Sequence, residues 1–198
     1  VPAALNDRDP STISLGGIGL VTDGPHISVD ALPALLGVTP SSSSTKTLGI
    51  VTDASSPESL VSRSVAAIDE ALAQGLVDNR DWEPHFIGLD ARPITLMGSV
   101  VAQQSNCASP EEWADALSRA DALVVLRAGT EGTWIAHEAA SAGIPTQDLT
   151  PGSAAMTSDI AELAASIAEV TSKKPAKPVS VTWDAVVKRV LRHMGATA

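Results

Sequence analysis

Two carboxylates and an imidazole crowd one short stretch of this chain. They are Glu131, His137 and Glu138, with Arg127 just before them and Trp134 among them. A carboxylate accepts hydrogen bonds and a guanidinium donates them, so such a cluster suits the capture of a small polar molecule. The cluster lies in SPEEWADALSRADALVVLRAGTEGTWIAHEAASAGIPT, residues 109–146. That stretch reads as helix, buried strand, loop, helix, turn and strand.

The elements that must position these groups are marked by their ends. Ser109 and Glu112 form a capping box, with Pro110 at the first helical position. After Asp121 the run Ala122, Leu123, Val124, Val125, Leu126 is continuously apolar, as a strand covered on both faces should be. Gly143 stops the next helix and Pro145 follows it. Ligands of open α/β sheets sit outside the carboxyl ends of the strands, which puts the expected site at the loop after Leu126.

The rest of the chain divides at about residue 46. Residues 1–46 carry Pro2, Pro10, Pro25, Pro33 and Pro40 and the serine run from Ser41. They read as a linker or irregular arm with one short element at Gly19 to Thr22. From Thr47 the pattern is regular, and residues 47–198 form the expected domain. TLGIVTD is a strand, and a helix begins at Pro57 with Val61, Val65, Ile68 and Leu72 at helical spacing and ends at Gly75. WEPHFIGL is a second strand and ITLMGSVV, from Ile94, a third. After the strand at Ala122 come a helix from Trp134, a strand over Thr146 to Leu149, and a helix with Ile160, Leu163, Ile167 and Val170 on one face. SKKPAKP links this to a last helix bearing Trp183, Val186, Val187, Val190, Leu191 and Met194. Alternation of this kind predicts an α/β fold, a Rossmann-like parallel sheet flanked by helices.

Bulk properties exclude several classes. The net charge of −10 and pI near 4.7 oppose a nucleic-acid partner or an anionic membrane surface. The late basic residues Lys173, Lys174, Lys177, Lys188, Arg189 and Arg192 read as a linker and a solvated helix face. Cys107 has no partner cysteine, so no internal disulfide forms; it fits a reducing compartment and an inert side chain. No apolar stretch approaches a transmembrane span and no signal peptide is visible, so a cytoplasmic location is expected. A chain that starts at Val1 reads as processed or as part of something longer. Gly-x-Gly-x-x-Gly, a P-loop and a Gly-x-Ser-x-Gly elbow are all missing, and His26, His85, His137 and His193 lack zinc-ligand spacing. No metal or cofactor is expected.

The order of elements, with the words SPESLVSRSVAAIDEAL, WEPHFIGL, ITLMGSV, SPEEWADALSRADALVVL, WIAHEAASAGIP and TWDAVVKRVLRHM, resembles the C-terminal, donor-binding half of GT-B glycosyltransferases. Within that group it looks most like the retaining, rhamnosyltransferase-type branch. The resemblance implies a nucleotide-diphosphate sugar held between two Rossmann-like halves. It gives Glu138 the nucleotide ribose and the amides near Thr133 to Ile135 the diphosphate. Trp134 would cover the base or sugar, or else be a core or interface aromatic. His137 reads as a packed helix residue.

The sequence departs from the family pattern at several places. Glu131 and Glu138 have six residues between them where the pattern has seven, so only Glu138 aligns. Asp53 and Glu58 stand where basic residues usually neutralise the diphosphate. Arg63, Arg92 and Arg127 are the substitutes, Arg127 the best placed because it closes the strand at the site. The acceptor-binding half is missing from residues 1–46, so the chain alone is expected to be inactive, and no catalytic residue is assigned.

The resemblance thus implies a donor-binding domain of a transferase acting on a cell-surface glycan, in polysaccharide biosynthesis, the acceptor being bound by a separate N-terminal half. Two alternatives stand beside it: a degenerate, non-catalytic binding or scaffold domain, and a small nucleoside deoxyribosyltransferase-like enzyme.

Overall fold

The computed structural model describes residues 12–14, 26–28, 33–41, 44–52, 58–88, 94, 96, 102–126, 129–149 and 159–193. Its elements run β1 (Thr12–Ser14), β2 (His26–Ser28), β3 (Lys46–Val51), α1 (Glu58–Ala73), β4 (Trp82–Gly88), β5 (Gln103–Asn106), α2 (Pro110–Ser118), β6 (Ala122–Val125), α3 (Gly129–Ser141), β7 (Thr146–Asp148), α4 (Ile160–Ser172) and α5 (Trp183–His193). The chain divides into two compact units. One is Leu36–Val179, and the other joins Val1–Leu35 with Ser180–Ala198.

Five parallel strands form the sheet of the larger unit, in the order β5-β4-β3-β6-β7. Period-two alternation sends Leu48, Ile50, Phe86, Ala122, Val124 and Leu126 to the face covered by α1 and α4, while Val51, Ile87, Leu123 and Val125 go to the face covered by α2 and α3. Strands buried on both sides explain the unbroken apolar runs in the sequence. At the amino edge the register of β6 on β3 is held by a reciprocal pair. Thr47 N donates to Asp121 Oδ2 at 2.8 Å, and Asp121 N donates to the Thr47 carbonyl at 2.9 Å.

The predicted parallel α/β sheet is what the structure has, with one strand displaced. Ile94 and Leu96, the described part of the expected third strand, are not in a strand and pack instead into the core beside α1 and α4. Beside β4 the described sheet instead has β5, Gln-Gln-Ser-Asn, an edge strand that is exposed or half-buried throughout. An edge strand covered on one side needs no apolar run, so it left no hydropathy signal. The helix capping box is formed as read: Ser109 Oγ accepts from Glu112 N, and the Glu112 carboxylate accepts from Ser109 N.

SKKPAKP is exposed yet anchored, since Ala176 N donates to the Gly143 carbonyl at 2.9 Å and Val179 N to that of Ser141 at 2.8 Å. In the smaller unit β1 and β2 pair antiparallel. The short element expected at residues 19–22 lies outside the described residues. On α5 Val186 is buried, whereas Trp183 and Val187, expected on the same apolar face, are about half exposed.

Two expectations for stability follow from this packing. Gly75 and Gly143 both adopt positive φ, +66° and +86°, but a Cβ at Gly75 meets open space, whereas one at Gly143 would stand 2.2 Å from the Ala176 carbonyl oxygen. Gly75→Ala should therefore cost about 1–2 kcal/mol, the ordinary left-handed penalty, and Gly143→Ala clearly more, because backbone must move; urea denaturation of both variants measures the difference.

The second concerns His85, buried on β4, whose Nε2 lies 2.9 Å from Ser105 Oγ on β5. Burial, with help from the Arg119 charge and against that of Glu83, lowers its pKa below 6.5. The unfolded chain then takes up the proton first, so this contribution is complete above pH 6.5 and is lost as pH falls. Thermal melts between pH 7.5 and 5.5 should show a steeper decline for wild type than for His85→Gln; equal slopes would exclude the effect.

Candidate functional site

The sheet order creates a site before any side chain is considered. From β3 the chain moves outward to β4 and β5, then returns across β3 to β6 and β7. The carboxyl ends of β3 and β6 are therefore neighbours from which the connections diverge, a topological switch point. Helix α3 opens there, four residues past the end of β6.

Its start is earlier than the sequence suggested. With the first helical residue at Gly129 rather than Trp134, the helical amides lacking an intrahelical acceptor are those of Gly129 to Glu131. The amides of Thr133 to Ile135 enter the helical ladder, so the anion-binding end of the helix moves about one turn upstream of where it was expected. Glu131 and Thr133 belong to α3, but their side chains, with all of Asp53, Arg92 and Arg127, lie outside the described residues; for Glu58 only the backbone is described.

The remaining candidates are well placed to compare. Ile135 is buried and packs with Ala139 in the core between α2, α3 and the sheet. Trp134 is half-buried, its ring centroid 5.8 Å from that of His137 at a 54° tilt, and His137 is buried. Arg63 is half-buried on α1.

Glu138 is 0 % exposed. Its Oε2 accepts a 3.0 Å hydrogen bond from the backbone amide of Leu36, 102 residues away in sequence. It stands nine residues beyond Gly129, about 13.5 Å down the helix axis at 1.5 Å per residue.

Leu36 begins a short strap. Leu36 and Val38 pack against the core of the α2–α3 face, and Ser41 closes the strap by donating its amide at 2.7 Å and its hydroxyl at 3.0 Å to the Ser118 carbonyl at the end of α2. Sequence reading missed this segment, because its signal is Pro40 and four serines rather than any periodicity.

Among the described residues, two other features bear on the site. An apolar cavity lined by Ile50, Ala67, Val124, Leu126, Leu163 and Ile167 lies on the opposite face, with no charged wall to hold a diphosphate. Cys107 is buried, its Sγ beside the Ser105 and Glu112 carbonyls. Burial, then the Glu112 and Asp115 charges, pushes its pKa up to about 11, so the thiolate nucleophile is suppressed. Among the described residues no three His, Cys, Asp or Glu side chains are grouped to hold a metal, and no helix is long and apolar enough to cross a membrane.

Comparison with known proteins adds a family. No curated protein matches the chain. The crystal structure of a glycotransferase of kitacinnamycin is similar to it at 16% identity and a TM-score of 0.30, over 81% of this chain and 42% of that one; this chain thus spans less than half of that protein's length. Residues 55–176, from just after β3 through α4, match the family model of the WsaF C-terminal domain. The chain belongs to the family of the WsaF C-terminal domain, a glycosyltransferase-related domain.

Proposed function

We propose that this chain is the donor-binding domain of a GT-B-type transferase that acts on a cell-surface glycan in the cytoplasm, completed by a separate acceptor-binding half. The observation that carries the reading is the switch point between β3 and β6 with α3 opening beside it. A helix start at that edge offers backbone amides and the positive end of a dipole to a diphosphate without needing lysine or arginine there. Arg127 reinforces this end, and Trp134 borders the path down the helix. The nucleoside runs along α3 and its ribose hydroxyls donate to Glu138. A carboxylate suits that task, having acceptor sites for both hydroxyls. The sugar is of the kind carried on a nucleoside diphosphate, with rhamnosyl transfer the reading favoured by the branch resemblance.

The second reading, a non-catalytic scaffold, is favoured by Glu138 itself. Its carboxylate is fully buried, stands about two and a half helical turns from the start of α3, and is met by Leu36. In that reading the carboxylate serves the fold alone.

Calorimetric titration of the full chain with dTDP- and UDP-sugars separates the two. A donor domain should bind one of them with micromolar affinity, and Glu138→Gln should weaken that by about tenfold, the equivalent of ~1.4 kcal/mol. Absence of binding to every nucleotide sugar would leave the scaffold reading standing.

A further inference from the structure

We infer that residues 36–41 form an autoinhibitory strap, its buckle the hydrogen bond from the Leu36 amide to Glu138, and that a nucleoside must displace it. The inference rests on the donor reading above, in which Glu138 receives ribose hydroxyls. Three observations in the larger unit converge on it. The Leu36 N–H occupies Oε2, one of the two oxygens that the ribose would use. Leu36 and Val38 lie over the α2–α3 core, so the strap covers the approach to a carboxylate that is itself 0 % exposed. The far end is fixed at Ser41 by two bonds to the Ser118 carbonyl, so the intervening residues can lift while the strap stays tethered at the end of α2.

Recognition is chemically matched. Strap and ribose both present donors to the same acceptor, so one replaces the other without leaving a buried carboxylate unsatisfied. The observed affinity for a nucleotide is the intrinsic affinity reduced by the fraction of molecules with the strap open. Anything that opens the strap without touching Glu138 should therefore tighten binding.

Leu36→Pro is the direct test, since proline has no N–H to donate and leaves the carboxylate intact. Leu36→Ala keeps the amide and removes only packing. In the full chain, titrated with dTDP by calorimetry, Leu36→Pro should bind about tenfold more tightly than wild type, and Leu36→Ala should gain clearly less. Hydrogen exchange of wild type gives a second readout that survives if Leu36→Pro fails to fold: saturating dTDP should accelerate exchange of the Leu36 amide.

Equal dTDP affinity in wild type and Leu36→Pro, an equal gain in both variants, or an unchanged Leu36 exchange rate at saturation would each overturn the strap while leaving the donor reading intact. If neither wild type nor Leu36→Pro binds dTDP or UDP, the donor reading fails and the strap falls with it.

Discussion

A parallel sheet has no face it can leave to water, and that constraint organises this protein. Its strands alternate Leu48 and Ile50 to one side with Val51 to the other, and Val124 with Leu123 and Val125, so both sides must be covered. On one side α1 packs with α4 across the sheet and closes the core. On the other, α2 and α3 do not suffice. Leu36 and Val38 of the strap are drawn into that core, and the Leu36 amide donates to the buried Glu138 carboxylate. The need for cover thus creates the contact on which the scaffold reading and the strap both turn.

The close approach of strands and helices rests on small residues in that same layer. Gly49, in the central strand, has Leu123 Cδ1 2.7 Å from where a Cβ would stand, with Ala120 and Ile87 within 3.2 Å. Ala116, Ala120, Ala139 and Ala142 continue the pattern on α2, its exit and α3. These small side chains are, physically, what lets two helices and an extended segment share one sheet face.

What the sequence disclosed follows the reach of each signal. Caps act over three or four residues, and the box of Ser109 and Glu112, the Gly143 stop and the strand from Ala122 all stand where they were read. Hydropathy finds what is buried on both faces, so it found β3, β4 and β6 and missed β5, whose four residues are polar at an open edge. The start of α3 escaped because Gly129, Gly132 and two threonines have low helix propensity, and tertiary context overrode it. Glu138 was singled out by its type, its position and the family resemblance. Its partner Leu36 lies 102 residues upstream, in a segment with no period at all, and no local pattern encodes such a pairing.

Energetics explain why Glu138 can be read both as ligand site and as fold element. Withdrawing a carboxylate from water costs several kcal/mol even after relaxation. A hydrogen bond to a charged group returns roughly 1.5–3 kcal/mol, so the Leu36 amide offsets a substantial part of the cost but does not make the site inert. A donor arriving from outside meets an acceptor already stripped of water, and it has only to match what the strap supplies. A ribose hydroxyl would bring a donor to the same Oε2 that the Leu36 amide meets. Against this stands the packing of Leu36 and Val38, whose apolar surface the exchange would return to water at roughly 25 cal/mol per Å². On the strap reading, the exchange sets one donor to Oε2 against another and exposes two apolar side chains. On that reading the packing of residues 36–41, rather than the carboxylate, is where sequence variation would tune binding.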